Sequence, residues 1–344
     1  ARPADPRPVV VAPQHAEAGG GGIVVRIFRS LAEVPADLGP SAIAIGKFDG
    51  VHLGHRALLQ TLCARAEELG VSPVVVTFDR NPLALLRPEL CPPALVSNEQ
   101  KLELLADAGV EATLMLTFDR ALSAVPATEF VEDTLVHALG ARVVLAGADF
   151  RFGARGQGDV DLLTRIGAER GFETVVVGDV AGSGDGVSGS ARRASSTWIR
   201  ELLDEGKVHD AAKLLGRAPT VRSVVVHGEH RGRELGFPTA NLDPRIEGFV
   251  PADGVYAAWA TIDGARYAAA VSVGNNPTFT GVPEHQVEAY LLDVDVDVYG
   301  RTIELEFVDF VRPMLRFDGI ESLVAELAAD VAKVREILAA QSPR

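Results

Sequence analysis

Residues Ala44–Gln60 read AIGKFDGVHLGHRALLQ, and the first half of the chain takes its architecture from this stretch. A short apolar run ends at Gly46, a glycine-punctuated turn follows, and a helical pattern opens near Gly54. Gly46, Gly50 and Gly54 remove side chains where backbone must come close to a ligand, and the unpaired N–H groups of a helix start attract anions. Strand, glycine turn and helix in that order describe a phosphate cradle, with Phe48 and Asp49 inside the turn. His52 and His55, three apart across the helix start, are spaced to aim both imidazoles at one point, where they bond phosphoryl oxygens and offset developing negative charge. A lone histidine is more often an ordinary polar or core residue. The combination with the glycines, Asp49 and a second histidine carries the reading.

Outward from this turn, short Val- and Ile-rich runs alternate with amphipathic stretches. Strands are expected at Ala42–Ile45, Pro73–Phe78, Ala112–Thr117, Arg142–Ala146 and Glu173–Val177, with helices over His55–Leu69, Asn98–Ala108, Ala127–Leu139 and Val160–Arg170. Such alternation implies crossover connections, hence an α/β domain with a doubly wound parallel sheet covered on both faces and ligands beyond the carboxyl ends of its strands. This domain is expected over 23–207. Residues 1–22 lack periodicity and end in the glycine run Gly19–Gly22; they read as a disordered leader, outside the fold.

Past Gly216 the pattern changes to strands separated by turn signals, among them Asp263-Gly264 and Tyr299-Gly300, the latter between Val287–Val298 and Thr302–Val308. A mainly antiparallel β-barrel or sandwich is expected over 218–344, joined to the first domain by a linker helix at 208–217. A terminal helix carries the stripe Ile320, Leu323, Val324, Leu327, Val331, Val334, Ile337 and Leu338.

The 344 residues are 47% hydrophobic and 23% charged, which suits roughly two globular domains and excludes disordered, collagen-like and coiled-coil classes. With 33 basic and 47 acidic residues the formal charge is -14, so nucleic acid and anionic membranes are repelled overall and any polyanionic ligand needs a local site. Cys63 and Cys91 form neither a disulfide framework nor a zinc motif. No run of about 18 apolar residues and no signal-peptide order occurs, so a cytoplasmic location is expected. Oligomeric state leaves no mark on the sequence.

Further motifs follow the strand ends. Gly147–Gly158 (GADFRFGARGQG) mixes aromatics with arginines: Phe150 and Phe152 are suited to pack on a planar ring while Arg151 or Arg155 meets phosphate. In Ala194–Arg200 (ASSTWIR), Ser196, Thr197 and Arg200 would present hydroxyls, N–H groups and a guanidinium to a triphosphate, although hydroxyls there are usually plain helix caps. The Gly/Ser loop Gly182–Gly189 ahead of it is suited to order over nucleotide. In His227–Asp243 (HGEHRGRELGFPTANLD), Gly228, Gly232 and Gly236 punctuate a polar loop that stiffens at Pro238. Thr239 and Asn241 share a face of an extended strand and suit Mg²⁺ already bearing ATP phosphates; a turn or bulge without function accounts for the bare pattern equally well. Glu288 stands on the strand face opposite Val287, Ala289 and Leu291, where a glutamate is normally solvated.

GKFDGVHLGH, FRFG, SSTWIR and PTAN together resemble the signatures of the bacterial bifunctional riboflavin kinase and FMN adenylyltransferase family, within the wider HxGH nucleotidylyltransferases, over residues 41–341. The resemblance implies that the C-terminal domain transfers the γ-phosphoryl of ATP to riboflavin, giving FMN and ADP, and that the N-terminal domain joins FMN to the AMP part of a second ATP, giving FAD and pyrophosphate. It implies Glu288 as the base for the ribityl hydroxyl, Thr239 and Asn241 as Mg²⁺ ligands, and Gly232 and Gly236 as nucleotide-binding. His52, His55, Ser196, Thr197 and Arg200 would serve adenylyl transfer. Asp149, Phe150, Arg151, Phe152, Asn276 and Arg312 fall on the flavin side, with Arg312 closing over substrate or product. One departure is Thr77–Pro82, TFDRNP, where Arg80 and Asn81 replace the family's proline and histidine. Two alternatives stand beside this: a nucleotidylyltransferase for another phosphorylated substrate with an accessory β-domain, and a synthetase-like RNA-binding protein, against which speak the charge and the lack of a KMSKS-like run.

Overall fold

The structure, a computed structural model, describes residues 9–11, 25–178, 192–228, 236–274, 286–294 and 296–341. These fall into two compact units, one of residues 9–11, 25–94, 98–178 and 192–194, the other of 95–97 and the described residues from 195 onward. In chain order the first contains strands β1 (Val9–Val11), β2 (Val25–Phe28) and β3 (Ser41–Ile45), helix α1 (Leu53–Leu69), β4 (Ser72–Phe78), α2 (Pro82–Leu86), α3 (Asn98–Asp107), β5 (Ala112–Leu116), α4 (Arg120–Ala124), α5 (Ala127–Glu129), β6 (Ala141–Gly147), α6 (Val160–Arg170) and β7 (Glu173–Val177). Phe130–Ala138 continues α5 as a π-helix.

The seven strands lie in the order β1-β2-β5-β4-β3-β6-β7 and are parallel except β1. From β3 the chain winds outward through β4 and β5, then returns to the other side of β3 for β6 and β7. The direction of winding therefore reverses between β3 and β6, and the crevice past their carboxyl ends is where a doubly wound sheet takes its ligand. Every residue of β3 is buried: Ile43 and Ile45 enter one apolar cluster, Ala42 and Ala44 the other. Burial on both faces is what crossover helices on both sides require, and it is why the strand reads as a continuous apolar run.

The leader expected to lack structure contains one strand. Val9–Val11 pairs antiparallel with β2, Val9 facing Ile27; three β-branched residues suffice for an edge strand but are too few to register as a period.

The second unit contains α7 (Ser196–Asp204), α8 (Val208–Leu215), strands β8 (Thr220–Val226), β9 (Thr239–Leu242), β10 (Gly254–Ile262), β11 (Ala265–Gly274), β12 (Gln286–Leu291) and β13 (Thr302–Arg312), and α9 (Ile320–Ala340). The strands close into an antiparallel barrel, β10-β11-β12-β9-β8-β13. The linker helix expected at 208–217 exists as α8, but the break between units falls before α7. The reason is packing within the second unit: Trp198, Ile199, Leu202 and Leu203 of α7 and Val208, Ala211, Leu214 and Leu215 of α8 are all buried, and Ala252 donates its N–H to the Leu203 carbonyl at 2.9 Å.

Asp263 and Gly264 both take left-handed backbone, φ 48° and 81°, the geometry of a tight hairpin between β10 and β11. Tyr299-Gly300 does not make the second expected hairpin. β12 stops at Leu291, Asp293 turns left-handed at φ 60°, and β13 pairs with β10 and β8 instead. The alternation of Asp with Val after Leu291 mimics a strand, yet Asp is a poor strand former and the chain turns out of the wall there.

On α9, Leu323, Val331, Val334 and Leu338 are buried, and the helix packs on β10, β11 and β13; Ile320, at the start of the expected stripe, is 65% exposed. A charge clamp adds to this apolar seam: Arg312, the last residue of β13, donates to Asp330 of α9 from Nε at 2.9 Å and Nη2 at 2.7 Å. Burial pushes the Asp330 carboxyl up, and the guanidinium opposes it. Removing one partner of a buried pair strands the other without solvation, so Arg312→Met is expected to destabilise the protein by about 3 kcal/mol. Urea unfolding followed by circular dichroism checks this; a loss below about 1 kcal/mol would show the pair to be dispensable.

Candidate active sites

The first site is built on the loop between β3 and α1. Phe48, Gly50 and Val51 all have positive φ, at 50°, 82° and 38°. Left-handed backbone is costly for a β-branched residue, of order 1–3 kcal/mol. Phe48 and Val51 are fully buried in the cluster that includes Leu58, Leu59 and Leu62, so apolar burial offsets the strain and pins the loop. Gly46 donates its N–H to the Val76 carbonyl, and the Thr77 hydroxyl donates to the Lys47 carbonyl at 3.2 Å, tying the loop to β4.

His52 is the N-cap of α1: its Nδ1 accepts the His55 N–H at 3.4 Å. The two imidazoles stack, centroids 3.8 Å apart and 19° from parallel. A Cβ on Gly54 would lie 3.1 Å from the His52 ring, so glycine is what lets that ring lie over the first turn. Burial, then the neighbouring His52 and Lys47, push the His55 pKa well below its ordinary value, and the ring is neutral at pH 7. Its Nδ1 is enclosed and has no hydrogen-bond partner among the described residues. A neutral imidazole stacked on a second histidine at a helix start suits an arriving anion.

Across the switch point, the loop after β6 holds Asp149, Phe150, Arg151 and Phe152. Phe150 stacks on Phe152 at 5.4 Å, but Phe152 is 7% exposed and packs against Phe130. Phe152 is thus a core residue, and the expectation that both rings meet a ligand is corrected: the backbone bridge between Phe152 and Gly158 turns that ring inward. Arg151 pairs with Asp159 and Arg193 with Asp149, each at 2.8 Å, and Arg193 holds the Asp149 carboxyl below the usual range. Asn81 is the N-cap of α2, its Oδ1 accepting from Leu83 N–H at 3.1 Å.

Lys101 on α3 carried no signal in the sequence, since a lysine beside a helical stripe is normally solvated. It is 7% exposed, with Nζ donating to the Phe78 carbonyl at 2.8 Å.

On α7 the N-cap is Ser195, whose hydroxyl accepts the Trp198 N–H at 3.2 Å. Ser196 and Thr197 therefore begin the helix instead of capping it; Thr197 is exposed and Arg200 buried.

In the barrel, Glu288 lies directly opposite Asn241 on one side and Ser272 on the other, and Thr239 lies opposite Tyr290. Thr239, Asn241 and Glu288 share a face, and the Thr239 hydroxyl donates to Glu288 Oε2 at 3.2 Å. A Cβ on Gly228 would come within 2.4 Å of Asn241 Nδ2, so the space a side chain would fill there belongs to the amide. Gly236 is left-handed at φ 82°. Gly232 and Asn276 lie outside the described residues, as does the loop Gly182–Gly189. Arg312, expected to close over a ligand, is instead held by Asp330, with its guanidinium 5.8 Å from the Phe317 ring centroid; two bonds to one buried carboxylate leave it directed at α9.

A stacked histidine pair at an α/β switch point and an acid–hydroxyl–amide wall in a closed barrel, on one polypeptide, fit a two-domain nucleotide-dependent transferase. The family described as FAD synthetase matches residues 34–191, and that described as riboflavin kinase matches residues 215–338. The bifunctional riboflavin kinase/FMN adenylyltransferase of Escherichia coli K12 is 36% identical over 321 residues, 93% of this chain and 99% of that one. The Listeria monocytogenes protein of the same description is 34% identical over 86% of this chain and 92% of its own. A solved Streptococcus pneumoniae structure, described as a macrolide-efflux protein, superposes with a TM-score of 0.78 at 31% identity, covering 90% of this chain and 98% of that one. Among the described residues no helix is long and apolar enough to cross a membrane. The chain belongs to the bifunctional riboflavin kinase/FMN adenylyltransferase family: it phosphorylates riboflavin with its C-terminal domain and adenylylates FMN with its N-terminal one. The two alternative readings of the sequence fall with that assignment.

The depressed pKa of His55 has a measurable sign. Below about pH 6.5 the unfolded chain takes up a proton at this residue that the folded chain refuses, so stability falls as pH falls, by at most about 1.4 kcal/mol per pH unit. His55→Gln is expected to flatten that acid-side slope between pH 7.5 and 5.5 in denaturant titrations. An unchanged slope would mean the imidazole is not shielded.

Proposed function

We propose a division of labour by residue. In riboflavin phosphorylation, Glu288 accepts the proton of the terminal ribityl hydroxyl as its oxygen attacks the γ-phosphorus, and the bond to the β-phosphate oxygen breaks to release ADP. The support for this is the Thr239–Glu288 hydrogen bond with Asn241 directly across the strand pair. The oxygens of Thr239 and Asn241 fit a hard divalent cation that arrives with ATP, since Mg²⁺ takes few protein ligands and keeps its waters, and the Gly228 space accommodates the amide. When bound, Mg²⁺ supplies charge neutralisation at the phosphates. Glu288 then orients and deprotonates, and Gly236 lets backbone come close to the nucleotide.

In FMN adenylylation, a phosphate oxygen of FMN attacks the α-phosphorus of a second ATP and pyrophosphate leaves. The nucleophile is already an anion, so the chain need only hold the reactants and stabilise charge. His52 and His55 donate to phosphoryl oxygens, His55 as a neutral imidazole, while Gly46, Phe48, Asp49, Gly50 and Gly54 shape the backbone that receives the phosphates. The enclosed, unpartnered His55 Nδ1 supports this most directly, because a buried polar atom without a partner is costly unless a ligand completes it. Ser196, Thr197 and Arg200 are assigned to the triphosphate on their signature alone. Asp149, Phe150 and Arg151, in the loop after β6, are assigned to flavin; Asn276 and Gly232 keep the roles their motifs imply. Two free, half-buried cysteines accord with a reducing, cytoplasmic setting.

With riboflavin, ATP and Mg²⁺, chromatography should show FMN and FAD. Glu288→Gln should lower FMN formation from riboflavin by about 10³-fold or more while FMN still becomes FAD, and His55→Ala should do the reverse. Loss of both reactions in either folded variant would overturn the division.

A further inference from the structure

At the carboxyl end of β4 the first unit encloses a cation to which neither reaction gives a task. Lys101 is 7% exposed, and among the described residues its hydrogen bond goes to the carbonyl of Phe78, the last residue of the strand. It interacts electrostatically with Asp49, in the loop after β3, and with Asp79, in the loop after β4; burial pulls its pKa down and these carboxylates push it up. Asp79 is itself fixed, accepting the Phe118 N–H at 2.9 Å and the Arg80 guanidinium at 2.8 Å. Two successive strand ends thus each place a carboxylate within electrostatic reach of one buried ammonium.

An apolar residue would fill this place on α3 without the desolvation cost of a buried charge. What the ammonium adds is a further countercharge beside Asp49 and the Asp79–Arg80 pair, which lowers the repulsion a polyphosphate entering the cradle would meet. We propose that Lys101 is a positioning residue for adenylyl transfer: it neutralises Asp49 and Asp79 and ties the end of β4 to the cradle loop, so that the triphosphate of ATP meets a site without excess negative charge. It acts through those groups and does not touch substrate. The inference rests on the assignment of the His52/His55 cradle to FMN adenylylation.

The test uses the full chain with both reactions followed. Lys101→Met should raise the KM for ATP in FMN adenylylation about tenfold with a much smaller change in kcat, leaving riboflavin phosphorylation unaffected as an internal control of folding. Lys101→Met/Asp79→Asn, which removes one carboxylate with the lysine and keeps an acceptor for the Phe118 N–H, should recover most of that loss and any loss of stability. A fall in kcat alone, or no recovery in the double variant, would assign Lys101 to packing and overturn the proposal. His55→Ala run in parallel separates the two levels. FAD formation untouched by His55→Ala would sink the cradle assignment. FAD formation lost in His55→Ala with a normal ATP KM in Lys101→Met would sink the lysine proposal alone.

Discussion

The first unit depends on a loop that the backbone resists making. Between β3 and α1 three residues take left-handed conformation, and one of them is Val51, whose branched side chain makes that conformation costly. The loop persists because Phe48 and Val51 bury completely in the cluster beneath it and because Gly46 and Lys47 are bonded to β4. Core burial on one side of the loop therefore holds the other side open at the start of α1, where His52 caps the helix and His55 lies against it. The shape of the loop is set by the protein's own packing, its backbone strain offset by burial of the apolar side of the same loop.

The barrel reaches the same end by register. Antiparallel pairing sets Glu288 against Asn241, and the period of two along β9 brings Thr239 to the same face. No strain is required; what is required is that β12 be placed between β9 and β11, which follows from closure of the wall. The Gly228 space at the end of β8 and the turn at Gly236 then leave the polar face uncrowded.

Charge is handled locally in both units. With a formal charge of -14 the protein as a whole repels its polyphosphate substrates. The buried Lys101 reduces negative potential around the cradle, whereas the pair of Arg312 and Asp330 has a mechanical task, fastening α9 to β13. These are different uses of a buried ion: one conditions a site for a ligand, the other closes a seam.

Much was legible in the residues. The five parallel strands β3–β7, α1, the terminal helix and the Asp263-Gly264 hairpin each have a local cause: an apolar run, a 3.6-residue stripe or a glycine that tolerates left-handed backbone. Such signals survive without tertiary context because they lie within a dozen neighbouring residues. The motifs around His52 and Thr239 are equally local, whereas the role given to Glu288 rests on the family resemblance. Tertiary structure alone decided that Phe152 turns into the core, that Arg312 is claimed by a carboxylate eighteen residues along the chain, that β12 ends at Leu291, and that Lys101 is buried against the end of β4. Each of these depends on which distant group occupies the neighbouring space, and side-chain type and spacing say nothing of that until the sheet order and the barrel closure bring the partners together.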